Sequence, residues 1–167
     1  MRCRPTRDRQ PLPSLRRALV RSFPTFLDLV DPVFCEEEGV RQVRFLSDED
    51  LVDWPAAGRG RLGLAAEVRT ASGRTALVLV HVENRPARRA ALERRLLRGY
   101  LWLLAGRART GWTGPSGRVV RLIAIVLQGG SPGVRAAAIV ETCQGTERMR
   151  IPYTLLCLAG RPLEEYL

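Results

Sequence analysis

Apolar positions change their spacing several times along the chain, and each change marks an element. From Ser14 onward, Leu15, Leu19, Phe23 and 26–29 return at helical intervals with Pro24 as a break, which predicts one or two helices. The preceding residues 1–13 hold three prolines and scattered Arg with little apolar pattern, and read as a flexible basic tail. Residues 40–46 (VRQVRFL) suit a short strand, residues 47–54 (SDEDLVDW) an acidic turn with helix-capping side chains, and residues 55–60 a loop.

The clearest prediction is a β-hairpin. Residues 62–70 and 75–83 flank the turn-rich Ala71-Ser72-Gly73-Arg74. The second strand, ALVLVHVE, is apolar on both faces over most of its length, as a central strand covered on each side requires. Residues 86–108 follow as a long Arg-rich helix with Leu92, Leu96, Leu97, Tyr100, Leu101 and Leu104 on one side. After a loop at 110–117 come a buried strand at 119–127, a tight turn at 129–133, strands at 134–143 and 149–158, and a short helix at 162–167. This order describes an α/β domain, 14–167, built on a mixed sheet with a central β-hairpin flanked by helices.

Charge adds a second layer. The 167 residues carry a net +10, with 27 Arg, no Lys and 17 acids. Residues 26–58 hold two Arg against nine acids, whereas residues 59–135 hold fifteen Arg against three. That central block would attract a polyanion, because clustered Arg neutralises phosphates and releases counterions. Arg88, Arg89, Arg95 and Arg98 on the long helix are the candidate nucleic-acid contacts. They track a phosphate backbone, or they form a solvated face that pairs with the acidic clusters at 36–38 and 48–50.

Other chemistries find little footing. The four cysteines (Cys3, Cys35, Cys143, Cys157) form no CxxC, and His81 is the lone histidine, which disfavours a zinc site and suits free thiols in a reducing cytoplasm. The Arg-interrupted N-terminus does not read as a secretory signal, and the longest apolar runs are far too short to span a membrane. No GxxxxGK[ST] loop, GxSxG elbow or Ser-His-Asp order is present, and Trp54, Trp102 and Trp112 are not spaced as a base-stacking platform.

The end of the hairpin carries the remaining chemistry. A turn centred near Gly73 sets position 63 opposite position 83, with His81, Glu83 and Arg85 alternating onto the same face. Two acids and a polar group placed there would hold a divalent metal and polarise a phosphodiester.

At these residues the chain resembles the PD-(D/E)XK nuclease superfamily, and within it the bacterial recombination-promoting nuclease/transposase-like group. The resemblance rests on LVLVHVENR (77–85), where such proteins show a strand ending in His-hydrophobic-Glu-x-Gln or Glu-x-Lys. It extends to the hairpin RLGLAAEVRTASGRTALVLVHVE, the helix ARRAALERRLLRGYLWLL and the tail MRIPYTLLCLAGRPLEEYL, together spanning residues 15–167. It implies a restriction-endonuclease-like core and Mg²⁺-dependent hydrolysis of DNA phosphodiesters.

The departures bear on activity. The family's catalytic Asp falls at Gly63, and its Lys or Gln falls at Arg85, which donates hydrogen bonds but neither deprotonates nor ligates a metal. Of the signature only Glu83 remains, either as a remnant metal ligand or as a strand-end carboxylate paired with an arginine such as Arg85. Glu67 shares the face but stands ~13 Å along the strand, while Asp50 and Asp53 precede the hairpin and could fold back. Two functions are therefore expected: a nuclease/transposase-like protein with catalysis weakened or lost, or a non-catalytic domain that binds nucleic acid or protein through its Arg-rich block.

Overall fold

Three short helices open the chain: α1 (Leu12–Arg21), α2 (Phe23–Val30) and α3 (Pro32–Glu38). The computed structural model describes residues 12–46, 63–85, 88–109 and 119–167. α1 thus begins two residues inside the expected tail, and residues 1–11 lie outside those described. The break foreseen at Pro24 falls at Ser22, whose N–H closes α1 on the Ala18 carbonyl while its own carbonyl accepts from Phe26. Pro24 sits in the first turn of α2, where its missing N–H costs nothing.

The third helix is the surprise. Asp31 ends α2 through its N–H to the Leu27 carbonyl and starts α3 by accepting the Phe34 N–H on its side chain at 3.3 Å. Asp followed by Pro, with Gly39 beyond the last turn, is a start and stop signature that apolar spacing alone overlooks.

Six strands form one mixed sheet: β1 (Val40–Phe45), β2 (Gly63–Thr70), β3 (Thr75–Glu83), β4 (Val119–Val126), β5 (Gly133–Cys143) and β6 (Thr146–Cys157), in the order β1-β2-β3-β4-β6-β5. β1, β2 and β3 are antiparallel in sequence, β3, β4 and β6 run parallel, and β5 returns antiparallel to β6. The parallel step from β3 to β4 is made by the long helix α4 (Arg89–Arg109). A 3₁₀ turn, Leu163–Glu165, stands in place of the expected terminal helix. β6 starts earlier than the apolar pattern suggested, because Gln144 and Gly145 both take positive φ (51° and 77°) and close a two-residue hairpin.

The double-sided apolarity of β3 now has its cause. Leu64, Ala66, Val78, Val80 and Val82 face α1–α3 and pack with Leu15, Leu19, Phe23, Phe26 and Phe34. The alternate positions Ala65 and Leu79 face α4, packing with Leu92, Leu96 and Leu122. Helix and sheet approach closely there: a Cβ on Gly99 would lie 2.6 Å from Leu79 Cδ2. Among the described residues no helix is long and apolar enough to cross a membrane.

The hairpin register differs from the one expected. Gly63 pairs with His81, and Arg69 with Thr75, so the turn is centred on Ser72 and not on Gly73. Thr70 sets this arrangement. Its N–H donates to the Arg74 carbonyl at 2.9 Å, and its hydroxyl bonds Ser72 at 2.8 Å and accepts from Arg74 N–H at 3.1 Å. Glu38 at the end of α3 then clamps the turn, accepting from Ser72 at 2.6 Å and from Arg74 at 3.0 Å. No local pattern reveals a contact made across 34 residues.

Candidate functional site

His81 and Glu83 alternate onto the α4 face of β3 at its C-terminal end. Gly99 lies beside Leu79 and Arg95 beside Glu83, so α4 runs back along β3 and lays its second turn over the strand end. There Arg95 Nη1 donates to Glu83 Oε1, and His81 Nε2 lies 2.7 Å from the same oxygen. An ionised carboxylate only accepts, so in this contact His81 is the donor, through an N–H on Nε2. The Glu83 side chain is 12% exposed and that of Arg95 27%. Burial alone would raise the pKa of Glu83. The hydrogen bonds from His81 and Arg95, together with their charge, outweigh it and hold the carboxyl below the usual glutamate range.

This cluster does not fit a divalent cation. The guanidinium of Arg95 already neutralises the one carboxylate present, and Arg95 and His81 both occupy its Oε1. Gly63 offers no carboxylate and faces His81, not Glu83. Glu67 is engaged by Arg44 of β1, whose Nε and Nη2 both lie 2.9 Å from its Oε2. Asp50 and Asp53 lie outside the described residues. Among the described residues no three His, Cys, Asp or Glu side chains are grouped to hold a metal.

The arginines singled out by sequence separate into distinct settings. Arg85 follows the end of β3 in a bend, so strand alternation no longer aligns it with Glu83; it is exposed and has no ion-pair partner among the described residues. Arg89 bonds Glu93 one turn along at 2.7 Å and reaches the Ala138 carbonyl of β5 at 3.2 Å. Arg95, expected on the outer row, is the one turned inward. Arg88 and Arg98 are exposed without an ion-pair partner among the described residues, and Arg94 is exposed beside them. The acidic cluster at 36–38 belongs to α3, on the opposite face of the sheet, where Glu38 serves Arg74. It does not neutralise the α4 row.

Sequence reasoning passed over Arg95 as the partner of Glu83 and took the nearer Arg85. The available clue was the parallel crossover itself, which returns the first turns of the helix over the end of the strand they left. Cys35, Cys143 and Cys157 are free thiols, and Cys3, Trp54 and Trp112 lie outside the described residues. Comparison of the chain with protein-family models, with characterised proteins and with solved structures finds no match.

Proposed function

We propose that this chain is a restriction-endonuclease-like domain of the recombination-promoting nuclease/transposase-like kind, in which an ion-paired cluster stands where the hydrolytic metal centre would be. It acts by binding DNA. The order helix, strand, hairpin, long helix, parallel strand, with Glu83 ending the second hairpin strand, supports the first half of this reading. The observation that carries the second half is the double engagement of Glu83 Oε1 by Arg95 and His81. A carboxylate so held is an anchor between β3 and α4, with no acceptor left to share with a cation through that oxygen.

DNA binding then falls to the arginines that have no ion-pair partner among the described residues, the acidic residues 48–50 lying outside them. Arg94 and Arg98 stand on the exposed side of α4, with Arg88 just before its first residue and Arg85 in the bend that precedes it. Guanidinium groups there pair with phosphate oxygens and displace condensed counterions, a gain that does not depend on base sequence.

Fluorescence anisotropy with a labelled duplex, repeated over a salt series, tests this. Affinity is expected to fall steeply with salt, and Arg94→Ala/Arg98→Ala to flatten the slope of log K against log [salt] by about 2, near 0.9 per lost phosphate contact. Affinity that ignores salt, or a slope unchanged by the double substitution, would contradict the assignment.

A further inference from the structure

The two edges of the sheet are built differently. β1 is six residues long and carries Arg41 and Arg44, charges that discourage another strand from adding to it. β5 is eleven residues long. From Ala136 to Val140 it has neither charge nor proline, and its one irregularity comes later, between Glu141 and Thr142.

Its faces are also unevenly covered. Val134 pairs with Leu156 and so belongs to the α1–α3 side, yet Val134 is 39% exposed and Val140, on the same face, 41%. Ala136 between them is exposed as well. On the α4 side Ile139 is buried, flanked along the strand by Arg135 and Glu141. Arg135 makes a 3.2 Å bond to the Ser131 carbonyl, and among the described residues Glu141 has no ion-pair partner. Between those ends the strand has no charge of its own, although Arg89 of α4 reaches the Ala138 carbonyl at 3.2 Å, a contact that a second strand would displace; opposite charges at its two ends make the strand self-complementary.

We infer that β5 pairs antiparallel with β5 of a second copy, about a twofold axis at Ala138. That register sets Arg135 of each copy opposite Glu141 of the other, Ala136 opposite Val140, and Ala137 opposite Ile139. Moving the axis by one residue to Ala137 puts Arg135 opposite Ile139, and moving it to Ile139 puts Glu141 opposite Ala137. The axis at Ala138 is the one that pairs the charges. It joins the two six-stranded sheets into one and puts both α4 helices on the same side. The inference stands on β5 alone and is independent of DNA binding.

Sedimentation equilibrium of the full chain at rising concentration tests it, with Arg135→Glu, Glu141→Arg and the double reversal beside wild type. Both positions are exposed, so folding is preserved, which circular dichroism checks. Wild type is expected at twice the 18.6 kDa chain mass. Each single reversal faces like charges at both symmetry-related pairs and weakens the dimer about tenfold; the double reversal restores it. A wild type that stays monomeric, an open series of larger species, or a dimer indifferent to the single reversals would overturn the inference.

Discussion

Arg95, twelve residues beyond Glu83, reaches back over the end of β3 and donates to the carboxylate oxygen that also accepts from His81 at 2.7 Å. The contact joins the first part of α4 to the last residue of the central strand. Under the proposed reading it makes the strand-end carboxylate an anchor between β3 and α4.

Without Arg95 the largely buried Glu83 carboxylate keeps only the His81 hydrogen bond, and without Glu83 the Arg95 guanidinium has no ion-pair partner among the described residues. Arg95→Met is therefore expected to lower unfolding free energy by about 1–3 kcal/mol. Glu83→Gln combined with Arg95→Met should cost less than the two changes summed, because the charge left alone in each single variant is then gone. Urea denaturation of the four proteins gives the coupling. Strict additivity would show that the pair contributes nothing.

The lowered pKa of Glu83 sets a pH window. In the unfolded chain the carboxyl titrates near the ordinary glutamate value of about 4.3, and in the fold it titrates lower. Its contribution is thus fully present above that ordinary value and is lost as pH falls through the folded one. The stability difference between wild type and Glu83→Gln should be constant near neutrality and shrink in the acid range below about pH 4.3. Glu38 and Glu147, also held low by their partners, act equally in both proteins and cancel. A difference that grows on acidification would contradict the assignment.

Gly99 is where α4 comes nearest to β3. A Cβ there meets Leu79 Cδ2 at 2.6 Å. Gly99→Val should cost about 1–3 kcal/mol by overpacking, a fall in Tm of about 2–4 °C for each kcal/mol. Gly99→Ala should fall between the two, because the methyl meets the movable end of a leucine and helix propensity returns about 1 kcal/mol. Thermal denaturation reads the order, and a Gly99→Val protein as stable as wild type would show that the gap can open.

Much of the architecture was legible because local pattern and tertiary burial agree. The alternation broken into continuous apolarity in ALVLVHVE announced a strand buried on both faces, and the Arg-rich amphipathic stretch after it announced α4. What escaped depended on distant partners. The turn shifted by one residue because Thr70 and Glu38 set its shape, and α3 was hidden in a segment too short for apolar periodicity to register. At the site, Gly63, His81 and Glu83 do share a face as foreseen, since moving the turn centre by one residue keeps the parity of the pleat. The partner of Glu83 could not be read from the strand, because nearness in sequence favours Arg85 and only the returning helix brings Arg95.

DNA cleavage bears most directly on the site. Supercoiled and linear DNA are incubated with Mg²⁺ or Mn²⁺ and with wild type, Glu83→Gln or Arg95→Met. With Arg95 and His81 on Glu83 Oε1, wild type should cut no faster than Glu83→Gln with either metal. Metal-dependent cutting by wild type that disappears in Glu83→Gln would show instead that the carboxylate is a working ligand and that the Arg95 contact gives way to a cation.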